Sequence, residues 1–212
     1  MTQKIISRII CLLMGYALGN FMTAEVVTRR LTGRPCAELG KTGNPGMANV
    51  MRALGMKAGI AVLIGDILKT ALSMLLAWMV FGAGLGRLSM FYAGLGAVVG
   101  HDFPVWLKMG RGGKGVTCCC TLLIVFSPWG LLACIIGMIT VFVTKYLCIG
   151  GIVIPAAFLI PAFAVYGPEI GLLTVILTGL CFCKHWPAAK EIPSGRCEKT
   201  DVLNMLRKRR RQ

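Results

Sequence analysis

Two stretches of this sequence concentrate glycine, cations and small polar side chains in a way that suits anion binding. The first is Gly40-Lys41-Thr42-Gly43-Asn44-Pro45-Gly46-Met47-Ala48-Asn49-Val50-Met51-Arg52. Glycines free a turn to aim successive backbone N–H groups at one point, and such a nest binds anions. Asn44 and Asn49 add side-chain donors, and Arg52 can grip phosphate bidentately. The second is Lys108-Met109-Gly110-Arg111-Gly112-Gly113-Lys114-Gly115, shortly after Gly100-His101-Asp102-Phe103-Pro104. It is not a P-loop: the GxxxxGK[ST] spacing is missing, and Gly115 stands where a magnesium-binding hydroxyl belongs. ATP chemistry is therefore poorly supported. A solvated loop built from turn formers has the same composition, so each stretch taken alone leaves both readings open.

Other polar groups are sparser. Asp66 and Lys69 share one helix face at i, i+3 inside an apolar run. Ionisable residues in a membrane are costly and face the bundle interior or a cavity. They read either as a structural ion pair or as support for a substrate site. His101 and Asp102 are adjacent and need not face each other, so they predict a helix end rather than a dyad. Lys145-Tyr146-Leu147-Cys148-Ile149-Gly150-Gly151 begins one apolar run, and His185-Trp186-Pro187-Ala188 follows another. Most of the ten cysteines lie in apolar runs, where free thiols act as small hydrophobes. Cys181 and Cys183 form CxC without paired histidines, so a zinc site is not expected.

The elements that must position these groups are membrane helices. Of 212 residues, 56% are apolar and only 15% charged, yet the net charge is +15. The mean hydropathy is +0.75. Such lopsided charge fits basic loops on a membrane protein, and no aromatic-plus-basic motif points to nucleic acid. The apolar runs are Ile5–Val27, Ala58–Phe81, Leu88–Val105, Val116–Phe126, Pro128–Thr144, Gly150–Tyr166 and Ile170–Cys183. A span takes about 20 residues, so Val116–Phe126 must borrow flanking residues or fuse with the next run across Ser127-Pro128. Charge decides against fusion. With seven spans and an outside N-terminus, every Lys and Arg except Lys4, Arg8, Arg87 and the intramembrane Lys69 falls inside. Fusion would place the basic run Arg207 to Arg211 outside. The expectation is an all-α integral membrane protein with seven transmembrane helices, N-terminus outside and C-terminus cytoplasmic. Residues 1–185 form the membrane domain and residues 186–212 a basic cytoplasmic tail. The first run reads as a retained span, not a signal peptide.

At these residues the chain resembles the bacterial acyl-phosphate-dependent glycerol-3-phosphate acyltransferases. The family pattern GSGNxGxTNVxRxxGxKxG is similar to Thr42-Gly43-Asn44-Pro45-Gly46-Met47-Ala48-Asn49-Val50 through Arg52, Gly55, Lys57 and Gly59, with Asp66 and Lys69 following. The pattern GHxFPxFxxFxGGKGVAT resembles Gly100-His101-Asp102-Phe103-Pro104-Val105-Trp106 and Gly112-Gly113-Lys114-Gly115-Val116. The resemblance runs from about Gly15 to His185 in order and spacing. It implies acyl transfer from acyl phosphate to the sn-1 hydroxyl of glycerol 3-phosphate, in the bacterial inner membrane, with the site facing the cytoplasm. It implies no cofactor, metal or nucleic acid, and membrane lipids as further partners.

The resemblance also implies roles. Gly43, Asn44, Gly46, Asn49, Gly112 and Gly113 would cradle phosphate, with Thr42 keeping a hydroxyl at the family's serine position. Arg52 and Lys114 would neutralise charge, and His185 would orient the acceptor or assist proton transfer. Cys148 holds the place of a family serine in the substrate site. Further positions depart from the pattern: Ala48 replaces Thr, Cys148 and Gly151 replace the serines of YVSxxS, and Trp186 and Ala188 replace the Arg and Asn of HRxN. One lost active-site hydrogen bond can cost about 10²–10³ in rate. A catalytically impaired, lipid-binding or scaffold member therefore stays open as an alternative, as does a transporter of a phosphorylated metabolite.

Overall fold

Every regular element among the described residues is helical. The computed structural model describes residues 2–40, 42–107 and 112–200. Lys41, Lys108, Arg111 and the basic run Arg207 to Arg211 lie outside the described residues. The chain divides into two compact units, one ending at Phe126 and the other beginning at Ser127.

The first unit holds α1 (Thr2–Gly19), α2 (Thr23–Thr32), a 3-10 turn (Cys36–Glu38), α3 (Met47–Leu54), α4 (Met56–Leu85), α5 (Arg87–Asp102) and α6 (Val116–Phe126). The first apolar run is thus two helices separated by Asn20, Phe21 and Met22. That break has a job. The Val105 N–H donates to Oδ1 of Asn20 at 2.7 Å, and the Tyr16 hydroxyl donates to the Phe103 carbonyl at 3.0 Å. The chain leaving α5 is therefore pinned to the break.

α5 is the central helix, with Phe91, Ala93, Leu95, Ala97 and Val98 buried along it. Lipid supplies no hydrophobic drive between helices, so close backbone packing must hold α1 to α5. Gly15 and Gly19 on α1 lie against the backbone of Ala93 and Ala97 on α5, and Gly96 and Gly100 on α5 lie against that of Leu12, Tyr16 and Asn20. A Cβ at Gly19 would lie 2.8 Å from the Ala97 Cα, and one at Gly100 would lie 3.0 Å from the Asn20 nitrogen. At the other end of α5 the Phe91 and Phe126 rings meet edge to face, 4.9 Å apart.

The second unit holds α7 (Pro128–Thr144), α8 (Leu147–Tyr166) and α9 (Pro168–Ala189). Ser127 is extended (φ −163°), and its hydroxyl accepts from the Trp129 N–H at 3.1 Å and from the Tyr166 hydroxyl at 2.7 Å. A serine N-cap followed by proline at the first helical position starts a new helix. The run from residue 116 to 144 is accordingly two helices and not one kinked helix. Lys145, at φ 63°, closes α7 in the left-handed region.

Among the described residues four helices are long and apolar enough to cross a membrane: Thr2–Thr32, taken as one, Met56–Leu85, Leu147–Tyr166 and Pro168–Ala189. Val116–Phe126 and Pro128–Thr144 are shorter apolar helices. Large apolar side chains such as Leu68, Met79, Val143 and Ile160 point outward, while polar Asp66, Lys69, Thr70 and Ser73 are buried. That reversal of the soluble pattern is an integral membrane fold. α9 runs on to Ala189, so His185 sits inside a helix and not beyond one. Hydropathy locates the apolar part of a helix, whereas α9 continues through the polar Lys184 and His185 and past Pro187.

Candidate active site

Both glycine-rich stretches lead into helix N-termini, whose unpaired N–H groups and positive dipole attract anions. Gly46, in extended conformation, is the N-cap of α3. Lys114 and Gly115 lead into α6, where the Cys119 N–H donates to the Gly115 carbonyl at 2.8 Å. The first stretch is braced from within. The buried Asn49 donates through Nδ2 to the Leu39 carbonyl at 3.0 Å, and its Oδ1 accepts from the Thr42 hydroxyl at 3.2 Å. The Asn44 N–H reaches the Thr42 oxygen at 3.4 Å. Asn49 thus holds the loop's shape, while Thr42 and Arg52 are exposed. Beneath it lies an apolar cluster of Ala24, Cys36, Val50, Ala58 and Val62. Burial pushes the Cys36 thiol up.

The second stretch rests on α5. The Gly113 N–H donates to the His101 carbonyl at 3.0 Å. A Cβ at Gly113 would strike the Nε2 edge of the His101 ring, and one at Gly115 would lie 2.9 Å from Oδ1 of Asp102. Gly112 and Gly113 are buried and Lys114 is half-exposed. Close packing on α5 is thus one reason for glycine here, beside any contact with phosphate.

His101 in turn meets α4. The Lys69 ammonium donates at 2.9 Å to each of three acceptors: the Phe21 carbonyl, Oδ1 of Asp66 and Nδ1 of His101. The Thr23 hydroxyl also donates to Oδ1 of Asp66, at 3.3 Å. Donor atoms of Asp66, His101 and Cys118 lie within 4.8 Å of one another, a spacing that suits a metal ion. The Lys69 ammonium already supplies the positive charge there, so these residues do not fit a metal as they stand.

In the second unit His185 is buried on α9, and its Nδ1 lies 2.9 Å from the Cys181 carbonyl. A carbonyl only accepts, so Nδ1 carries the proton and the neutral ring has its lone pair on Nε2. A Cβ at Gly151 of α8 would sit 2.5 Å from that Nε2. Cys148, in the first turn of α8, is buried with its sulfur 3.8 Å from that of Cys197. The Thr200 N–H donates to the Lys145 carbonyl at 2.7 Å, which ties the segment after α9 to the α7–α8 turn.

Residues 9–195 match the family described as glycerol-3-phosphate acyltransferase. The chain belongs to this family. It is 36% identical over 202 residues to glycerol-3-phosphate acyltransferase 1 of Lactobacillus johnsonii, covering 94% of this chain and 96% of that one. It is 34% identical over 182 residues to the glycerol-3-phosphate acyltransferase of Nitrobacter winogradskyi, covering 85% and 90%. Its fold is similar to the crystal structure of PlsY (YgiH), an integral membrane glycerol 3-phosphate acyltransferase, in the glycerol 3-phosphate form. The TM-score is 0.79 at 28% identity, covering 94% of this chain and 98% of that one. The lysophosphatidic acid form of PlsY gives 0.77 at 27% identity.

For this glycerol-3-phosphate acyltransferase family member, sequence reasoning left two relationships unseen. The Lys69–His101 contact joins residues from different helices, and only the intramembrane placement of Lys69 hinted at a partner. The pairing of Gly151 with His185 depends on how α8 packs on α9, which no local pattern reports.

Proposed function

We propose that this chain moves a fatty acyl group from acyl phosphate to the sn-1 hydroxyl of glycerol 3-phosphate, giving lysophosphatidate and inorganic phosphate for phospholipid synthesis. The observation that carries this reading is the likeness along nearly the whole chain to PlsY in its glycerol 3-phosphate form. The acceptor hydroxyl attacks the acyl carbonyl carbon, the carbon–oxygen bond to phosphate breaks, and phosphate leaves. Acyl phosphate is already activated, so positioning and charge neutralisation carry most of the acceleration. Arg52 and Lys114 neutralise phosphate charge. Thr42, Gly43, Asn44 and Gly46 cradle phosphate with Asn49 bracing them, and Gly112 and Gly113 do so ahead of α6. His185 takes the hydroxyl proton on Nε2, the nitrogen that holds its lone pair, unless a substrate phosphate does so first. Cys148 contacts substrate from the first turn of α8.

The reading extends to topology. Seven membrane helices carry the N-terminus outside and the C-terminus in the cytoplasm, within the inner membrane of a bacterium. Residues 1–185 form the membrane domain, and residues 186–212 form a basic cytoplasmic tail. An α6 of eleven residues covers about 16 Å, roughly half the hydrocarbon thickness.

The test is phosphate release by the full-length protein in detergent, given acyl phosphate with and without glycerol 3-phosphate. Wild type should release phosphate only with acceptor present, and Lys114→Ala should be slower by about 10²-fold. No acceptor-dependent release by wild type, or unchanged release by Lys114→Ala, would overturn the reading.

A further inference from the structure

We infer that His101 is a positioning residue for the phosphate loop, held by the buried Asp66–Lys69 pair and bracing the turn that carries Lys114. The inference rests on the proposed function, in which this loop cradles phosphate, and assigns it the phosphate of glycerol 3-phosphate.

The argument begins with donors and acceptors. An ammonium has three N–H donors and no acceptor. Lys69 spends all three, on the Phe21 carbonyl, on Asp66 and on Nδ1 of His101. Nδ1 is therefore the accepting nitrogen, and the neutral imidazole carries its proton on Nε2. That edge of the ring is the one beneath Gly113: a Cβ there would lie 2.7 Å from Cδ2 and 2.8 Å from Cε1. The same residue's carbonyl accepts the Gly113 N–H. His101 thus holds Gly113 by its main chain and by its ring at once.

Burial makes the arrangement rigid. Asp66 is 2% exposed, Lys69 5% and His101 4%. Water cannot substitute for a lost partner, and a buried cation left with an empty donor is costly. The ring has one low-energy position, set from α4, and the loop inherits it. A phosphate-binding turn needs such a backing, because N–H groups a fraction of an ångström out of place lose much of their grip. The group sits behind the loop and transfers no atom.

This role predicts a split between KM and kcat. His101→Phe keeps a ring of similar size but removes both nitrogens. It should raise KM for glycerol 3-phosphate about tenfold or more, with a smaller change in kcat. His101→Gln, which can accept from Lys69 and donate toward the loop, should recover most of the loss. A purely structural role would lower the amount of folded protein and leave KM alone.

A second arm uses the collision itself. Gly113→Ala should be strongly impaired alone and less impaired when combined with His101→Ala, which clears the space. Additive effects in this pair, or a wild-type KM in His101→Phe, would overturn the inference. Binding read as the glycerol 3-phosphate-dependent rise in melting temperature in detergent keeps the two claims separate. Wild type that binds without turnover sinks the acyltransfer reading alone. His101→Phe that binds as tightly as wild type sinks the positioning role alone.

Discussion

Nζ of Lys69 and Nδ1 of His101 stand 2.9 Å apart, on helices α4 and α5, with Asp66 2.9 Å from the same ammonium. In a lipid-facing bundle these three groups form one neutralised unit. Removing one member of a buried ion pair strands the other. Lys69→Met should therefore lower stability by about 3–5 kcal/mol, read as a fall in melting temperature in detergent. The double variant Asp66→Asn with Lys69→Met should be less damaged than the two single losses added together. Additive losses would mean the pair is not coupled.

Gly151 and His185 make a counter-intuitive prediction. Serine at position 151 would bring this chain closer to the family pattern, yet its Cβ would sit 2.5 Å from Nε2 of His185. Gly151→Ser should displace the imidazole and lower kcat about tenfold, with the fold intact by circular dichroism. His185→Ala should lower it by about 10²-fold or more, the range for a lost general base. A Gly151→Ser protein faster than wild type would show that the ring can move aside at no cost.

Cysteine reactivity separates the folded from the unfolded environment. Cys36 lies in the apolar cluster under the first glycine-rich loop, and burial raises its pKa. A raised thiol pKa means less thiolate at any given pH, so alkylation should need more alkaline solution. At pH 7 maleimide should label Cys36 much more slowly in the folded protein than after unfolding in SDS, as read by peptide mass spectrometry. Equal labelling would mean the loop opens on the timescale of the reaction.

Cys148 and Cys197 have sulfurs 3.8 Å apart, and the Thr200–Lys145 hydrogen bond keeps the later segment in place. Diamide, a two-electron thiol oxidant, should convert this pair to a disulfide with the loss of two hydrogens. Intact mass and a mapped cross-linked peptide would report it. Cys197→Ser should abolish that cross-link. If Cys148 joins another cysteine instead, the segment after α9 does not rest where the structure has it.

The membrane character of the chain was legible because hydropathy is local. The helices α6 and α7 coincide with the runs Val116–Phe126 and Pro128–Thr144, since Ser127 and Pro128 punctuate the sequence where a cap and a first turn belong. The two glycine-rich stretches were legible for the same reason: turn chemistry is written in neighbouring residues. Less visible was the break in the first run, where Asn20 turns its amide to Val105 across 85 residues. Nor does local sequence separate a glycine that touches ligand from one that touches a helix. Gly112 and Gly113 read as ligand contacts, and α5 turns out to crowd them as well.

What the sequence determined by itself was the class of protein and the type of chemistry: apolar runs that demand a membrane, and anion-seeking loops that recur in a family pattern. Tertiary structure alone decided which polar groups answer one another. Lys69 finds His101, Asn49 braces Thr42, and His185 presents Nε2 to Gly151. Each of these rests on distances of a few ångströms set by how whole helices pack, and a hydrogen bond or a steric clash is won or lost within less than one.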